Sequence, residues 1–180
     1  MRLAAAMALT TVLVSGCGVA SDMAVMRLPT CDADGYRTTM LMAQSVPSAS
    51  RIPCLRRSLP THWELEEMDI DSASSRLIFL SEMTSASPDR LEVVLAARCD
   101  TSDAIAVTTD EVGTRRLERI DVVAGGYTGQ RHYTFAGGCV TYRFSASGDD
   151  WTDFVDETAN LWTFTPRDQV MRHADAALGG

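Results

Sequence analysis

Tyr133, Phe135, Val140, Tyr142 and Phe144 alternate with polar partners on either side of Gly137-Gly138. Period-two alternation builds a strand with one buried face, and glycine supplies the positive φ of a tight turn, so this stretch predicts a β-hairpin. Further strands are expected upstream. Trp63 to Ile70 shows a mixed signal with acidic residues on both faces. The turn cluster Asp71 to Ser75 then leads into the buried run Arg76 to Ser81, which together read as a second hairpin. Ser85 to Asp89 is the next turn, and Arg90 to Cys99, Ala104 to Thr109 and the segment holding Leu117, Ile120, Val122 and Val123 supply three more strands, the last closed by Gly125-Gly126.

Helical spacing marks the two ends of the domain. Tyr36 to Gln44 predicts a short helix that ends before Pro47. Trp151, Phe154, Val155, Thr158, Leu161 and Trp162 fall on one face of a helix preceded by Asp149 and Asp150, which suit its positive start. Thr165-Pro166-Arg167-Asp168 opens another helix, whose stripe is Val170, Met171, Ala174, Ala177 and Leu178, with Gly179-Gly180 as the stop. Between the first helix and Trp63, the stretch Val46 to Pro60 reads as an irregular loop held at Cys54. Strands followed by helices, without strict alternation, predict an α+β fold: an antiparallel sheet with two C-terminal helices, stapled by disulfides.

The amino end follows another pattern. Arg2 precedes a 14-residue apolar run, Leu3 to Gly16, too short for the roughly 20 residues of a spanning helix. A basic start, short apolar core and small exit residues form an export signal. Its exit, Val14-Ser15-Gly16-Cys17, resembles the bacterial lipobox, which implies that Cys17 is acylated and becomes the first residue of the mature chain. The expected organisation is a signal peptide over 1–16, lipidated Cys17 and spacer over 17–30, and one extracytoplasmic domain over 31–180. An ordinary signal peptide cut elsewhere and an uncleaved anchor are the alternatives.

Five cysteines are present, and setting Cys17 aside leaves Cys31, Cys54, Cys99 and Cys139. An even remainder in an oxidising compartment predicts two bridges. Three connectivities are open; the sequence-near pairs Cys31–Cys54 and Cys99–Cys139 are the simplest. A four-thiolate zinc site is the competing account, and no C-x₂-C spacing supports it.

Charge narrows the chemistry. Sixteen basic residues face 24 acidic ones, for a formal net charge of −8, which argues against nucleic acid as a partner. All the basic residues are Arg, so lysine nucleophiles and Schiff bases are excluded. His62, His132 and His173 share no metal-ligand spacing and read respectively as a loop residue, a surface or hairpin-edge residue and a solvated helix residue. No G-x-S-x-G elbow is present. Asp32-Ala33-Asp34-Gly35 lacks the rest of a calcium loop, and Gly125-Gly126-Tyr127-Thr128-Gly129 lacks the lysine of a phosphate loop. Glu66 and Glu67, as neighbours on a strand, are expected on opposite sides, which prevents them from acting as a glycosidic pair. No cofactor or metal is implied.

Ala43-Gln44-Ser45-Val46-Pro47 leading to Pro53-Cys54, then Arg98-Cys99-Asp100, then Gly137-Gly138-Cys139-Val140-Thr141-Tyr142-Arg143-Phe144, resemble exported, membrane-tethered proteins of high-GC Gram-positive bacteria over most of residues 31–171. The resemblance implies topology and location, not activity. The expectation is a lipid-anchored surface protein that binds or scaffolds an envelope protein or ligand without catalysis. An envelope hydrolase with a dispersed Ser/His/Asp site and a sensor or partner subunit of a membrane protein are the alternatives.

Overall fold

The alternation that marks the strands is realised in a seven-stranded antiparallel sheet, seen in a computed structural model that describes residues 27–32, 36–81, 88–122, 125–148 and 151–178. The expected leader, Cys17, the spacer as far as residue 26, the start of the Ser85 turn and Asp34 lie outside the described residues. In chain order the elements are α1 (Tyr36–Ser45), β1 (Arg51–Leu55), β2 (Trp63–Ile70), β3 (Ser74–Ser81), β4 (Asp89–Ala96) and β5 (Ile105–Val107). They continue with β6 (Arg115–Val122), β7 (Gly126–Phe135), β8 (Gly138–Ser147), α2 (Trp151–Leu161), β9 (Trp162–Pro166) and α3 (Arg167–Leu178). The fold is α+β, and Cys31–Cys54 and Cys99–Cys139 are bridged. Closing loops of 23 and 40 residues, each bridge contributes roughly 3–4 kcal/mol by restricting the unfolded chain.

The large sheet has the order β2-β3-β4-β8-β7-β6-β5. Directly paired residues share a face, so one row can be followed across it: Met68, Leu77, Val93, Tyr142, Arg131, Glu118, Ile105. The row is apolar as far as β8 and turns charged at β7. Leu77 and Val93 are fully buried and Tyr142 nearly so, whereas Ile105 at the far edge is 70% exposed. Helices and a small ribbon therefore cover the β2–β8 half of this face, and its β6–β5 margin is open.

Strand β2 explains its own mixed signal. Its pairing with β3 shifts register between Leu65 and Glu67, and the extra residue resets the alternation. Trp63, Leu65, Met68 and Ile70 all turn to the core while Glu64, Glu66, Glu67 and Asp69 are exposed. Glu66 and Glu67 thus both point outward, contrary to the expected opposite placement. A bulged, acidic outer strand also discourages pairing with another chain.

The stretch expected to be irregular contains β1, which pairs antiparallel with β9, from Arg51↔Pro166 to Leu55↔Trp162. Four of its five residues are buried. Pro53, which has no N–H to give, is tolerated because a two-stranded ribbon consists only of edges. Trp162, expected on the α2 stripe, is instead the first residue of β9, where Trp162 and Phe164 turn inward and Thr163 and Thr165 outward. The β-branched threonines and aromatics favour a strand, and α2 stops one residue earlier.

The ribbon gathers the ends of the domain. Thr30 forms a parallel bridge with Leu55, beside the Cys31–Cys54 disulfide. Thr38 and Thr39 on α1 donate to the carbonyls of Arg27 and Thr30 at 2.6 and 3.2 Å. Arg167, at the start of α3, donates to the Ala43 and Val46 carbonyls and so caps the end of α1. The β7–β8 turn docks on the 48–50 turn: Ser50 N–H donates to Ala136 O at 3.0 Å and Ser48 Oγ to Gly137 O at 2.6 Å. Gly137 has φ of +72°, and a Cβ there would sit 1.8 Å from the Ser48 carbonyl oxygen.

Gly137→Ala is expected to lower stability by about 1–3 kcal/mol from backbone strain alone, with a further loss from that clash. Gly148→Ala, at φ +85° with nothing within 4 Å of the added methyl, should carry the backbone cost only. Urea unfolding of the two variants checks the difference; equal losses would mean that the turn does not dock.

Candidate ligand cleft

The inward positions of β7 read Tyr127, Gly129, Arg131, Tyr133, Phe135, so one arginine stands in an otherwise apolar or glycine series. Arg131 is only 6% exposed. Its Nε donates to Glu118 Oε1 at 2.5 Å, across the strand pair, and its guanidinium carbon lies 5.6 Å from the centre of the Phe144 ring. Cation–π contact and a charge-assisted hydrogen bond offset the removal of the guanidinium from water.

Around Arg131 the fold builds a cleft. Tyr133, Tyr142 and Phe144 form its floor from β7 and β8; Thr158 on α2 with Trp162 and Phe164 on β9 form its roof; Glu111 stands at one end. The rings are in mutual contact: Tyr133 meets Tyr142 edge-on at 5.7 Å, Phe164 lies 5.1 Å from Tyr133, and Trp162 lies 6.0 Å from Tyr142. The inner void of the cleft is about 20 Å³, room for about one water.

Hydrogen bonding in the cleft is uneven. Glu111 is engaged by Arg56, which also donates from Nε to the Trp162 carbonyl at 2.9 Å and ties the Glu111 loop to β9. Thr158 Oγ1 donates back to its own helix, to Phe154 O at 2.7 Å. Tyr142 Oη and Trp162 Nε1, both buried, have no hydrogen-bond partner among the described residues. Burial first, then the neighbouring Tyr133 and Glu111, push the Tyr142 phenol well above its ordinary pKa, so it keeps its proton. Glu118 receives both Arg116 and Arg131. Burial pushes its carboxyl up, but the Arg116 hydrogen bond and the Arg131 charge outweigh this and hold it below the usual range.

The opposite face of the sheet carries a second charged group and a buried histidine. Glu92, 6% exposed, accepts from Arg76, Arg90 and Arg143 at 3.1, 3.2 and 2.7 Å. His132, expected at the surface or at a hairpin edge, is 1% exposed in the middle of β7. The residues before and after it belong to the core side, and the Cys99–Cys139 bridge lies over its own side through Thr141. Thr141 Oγ1 lies 3.0 Å from Cys99 Sγ and 3.0 Å from His132 Nδ1, linking the imidazole to the bridge. Burial, then Arg119 and Arg143, depress the His132 pKa, with Asp100 opposing them.

The other sequence candidates are dispersed. His62 Nε2 lies 3.3 Å from Glu157 Oε2, a carboxylate that Trp63 Nε1 also approaches at 3.4 Å. His173 is exposed and packs on the Tyr36 ring at 5.6 Å. The fold does not bring the three histidines together. Among the described residues no group of three or more His, Cys, Asp or Glu is placed to hold a metal ion, and no helix is long and apolar enough to cross a membrane. Asp32 is half of a turn contact, accepting from Thr30 Oγ1 at 2.5 Å. Cys31, Cys54, Cys99 and Cys139 are bridged in the sequence-near pairing. Arg131, Tyr142 and Trp162 were not legible as a site, although an arginine on the apolar phase of the clearest hairpin was a signal.

Compared with known proteins, the chain matches no family model, no curated protein and no solved structure.

Two titrations should separate the faces of the sheet. Glu118 has a lowered folded pKa, so its stabilisation is present above the unfolded value near 4.5 and is lost as pH falls through the lower folded value. His132 is also lowered, so the unfolded chain takes the proton first: stability is full above pH 6.5 and falls as pH drops from there. Urea midpoints between pH 8 and pH 3 should lose the upper slope in His132→Gln and the lower one in Glu118→Gln; unchanged slopes would contradict both placements.

Proposed function

We propose that this protein is an exported lipoprotein, anchored through acyl chains on Cys17, whose domain stands outside the cytoplasmic membrane and acts there by binding rather than by catalysis. The observation that supports it best is the use of cysteine. Two disulfides take four of the five thiols, and bridges of this kind persist in oxidising compartments. The fifth, Cys17, is the residue in the lipobox-like sequence, following an apolar run of export length. Two acyl chains, at roughly 0.8 kcal/mol per buried methylene, suffice for lasting attachment.

The anchor also limits where the domain can be. Described structure begins at Arg27, whose carbonyl accepts from Thr38, and Leu28 packs on the core. Only ten peptide units separate Cys17 from Arg27, so the tether spans at most about 35 Å. A domain held this close to the bilayer meets membrane-proximal ligands and partner proteins of the envelope. A binding role is favoured by the dispersal of the histidines among the described residues: His62 lies beside Glu157, His132 beside Thr141 and His173 on the Tyr36 ring.

Cys17→Ala is expected to move the protein from the membrane fraction into the medium while leaving the domain folded, as judged by its circular dichroism. Retention of the variant on the membrane would overturn the anchor.

A further inference from the structure

We propose that the outer edge of β5 is a docking site for an extended segment of a partner protein, apolar at its centre and basic at both ends, which joins the sheet as an eighth strand. This names a kind of partner for the binding role proposed above and rests on that role. The two edges of the sheet are built differently. At one, β2 is bulged and exposes Glu64, Glu66, Glu67 and Asp69, features that discourage pairing. At the other, Ile105-Ala106-Val107 of β5 holds no charge and no bulge, and pairs with β6 alone among the described residues. Its ends are fixed. Ala104 N–H donates to Thr101 O at 3.1 Å, Asp103 has φ of +63°, and Thr114 N–H donates to Glu111 O at 3.2 Å. The outward backbone groups of a strand held in this way are pre-organised to receive another.

The side chains at this margin select an apolar centre. Ile105 is 70% exposed, Ile120 57% and Val112 80%, three of the four exposed large apolar side chains among the described residues. Ile105 pairs with Glu118, and Ile120 is two residues further along β6, so the isoleucines share a face. Val112 lies in the loop that joins the two strands. Such a grouping marks an interaction surface. Charge selects the ends. Asp103 and Asp110 flank β5, both exposed and in no ion pair among the described residues. Of the nearby guanidiniums, Arg116 is held by Glu118 and Arg119 by Asp121, and Arg115 alternates to the other face of β6. Basic residues at both ends of an incoming strand meet the two free acids. A second copy of this chain fits less well: antiparallel pairing of two β5 strands about Ala106 brings Asp103 of each close to Asp110 of the other, and like charges repel.

The probe is the symmetric peptide acetyl-Lys-Thr-Val-Thr-Val-Thr-Lys-amide, whose valines fall beside Ile105 and Val107 in either strand direction. Its control carries Glu in place of both lysines. The purified full chain, isotope-labelled, is titrated with each peptide and followed through its amide signals. The basic peptide is expected to bind saturably, to shift and protect the amides of Ile105, Ala106 and Val107, and to bind roughly tenfold more tightly than the acidic one. Ile105→Gln combined with Ile120→Gln should weaken it roughly tenfold, whereas Leu41→Gln, at an exposed position on α1, should leave it unchanged. Asp103→Asn combined with Asp110→Asn should bring the two peptides to nearly equal affinity, asparagine being tolerated at positive φ. No shift at β5 would overturn the site, as would equal affinities of the two peptides for the unaltered chain, or the same loss in Leu41→Gln. A chain that sediments as a dimer and becomes monomeric in Ile105→Gln would give the edge to a second copy and overturn the partner. None of these readings involves Cys17, so the edge can fail while the anchor stands.

Discussion

Pairing of β1 with β9 is the constraint on which the rest of the domain depends. It joins segments about 110 residues apart and closes the apolar face of the large sheet. Trp162 is set against Phe79 and Tyr142 by this pairing, at ring distances of 5.6 and 6.0 Å. Cys54 lies in the ribbon and Cys31 beside it, so the disulfide holds the amino-terminal segment to the same place. Arg167 follows β9 and caps α1, and the turn before β1 receives the tip of the β7–β8 hairpin. Loss of the ribbon would release α2, α3 and α1 together.

The same closure creates the site. An antiparallel row that is apolar through β2, β3, β4 and β8 reaches Arg131 at β7 and Glu118 at β6, and the roof of α2 and β9 stops near that transition. Rings fill the closed side and charges line the open side. At the boundary the Tyr142 hydroxyl and the Trp162 indole N–H are buried without partners among the described residues, a cost of about 1–3 kcal/mol for each group. Ser75 Oγ and His132 Nε2 are buried in the same condition elsewhere in the sheet, and an ordered water is the usual partner of such groups. The proposed location rests on the cysteine pattern, since two bridges of this kind persist in an oxidising compartment.

Much of the sheet was legible in the sequence because its strands are local and alternate. The Tyr133–Phe144 hairpin, the Asp71–Ser75 turn and the helices at Tyr36, Trp151 and Arg167 carry signals within a few residues of one another. The disulfide pairing followed from proximity along the chain. Other features rest on distant or subtle causes. Strand β1 shows no alternation, carries a proline, and becomes a strand only because β9 arrives beside it. One bulged residue in β2 reverses the phase of every side chain after it, so a periodic reading placed acids on both faces. His132 occupies a polar phase that reads as solvent-facing; the Cys99–Cys139 connection, formed across 40 residues, buries that phase locally. The cleft needs α2, β9 and the Glu111 loop to meet two strands, which no short window of sequence contains.

A crystal structure of the purified protein, at a resolution that shows ordered solvent and small ligands, tests this account most directly. It should show β1 paired with β9 and, within about 3.2 Å of Tyr142 Oη and Trp162 Nε1, ordered water filling the inner void of the cleft. Both atoms bonded to protein carbonyls, with the cleft filled by side chains, would contradict it.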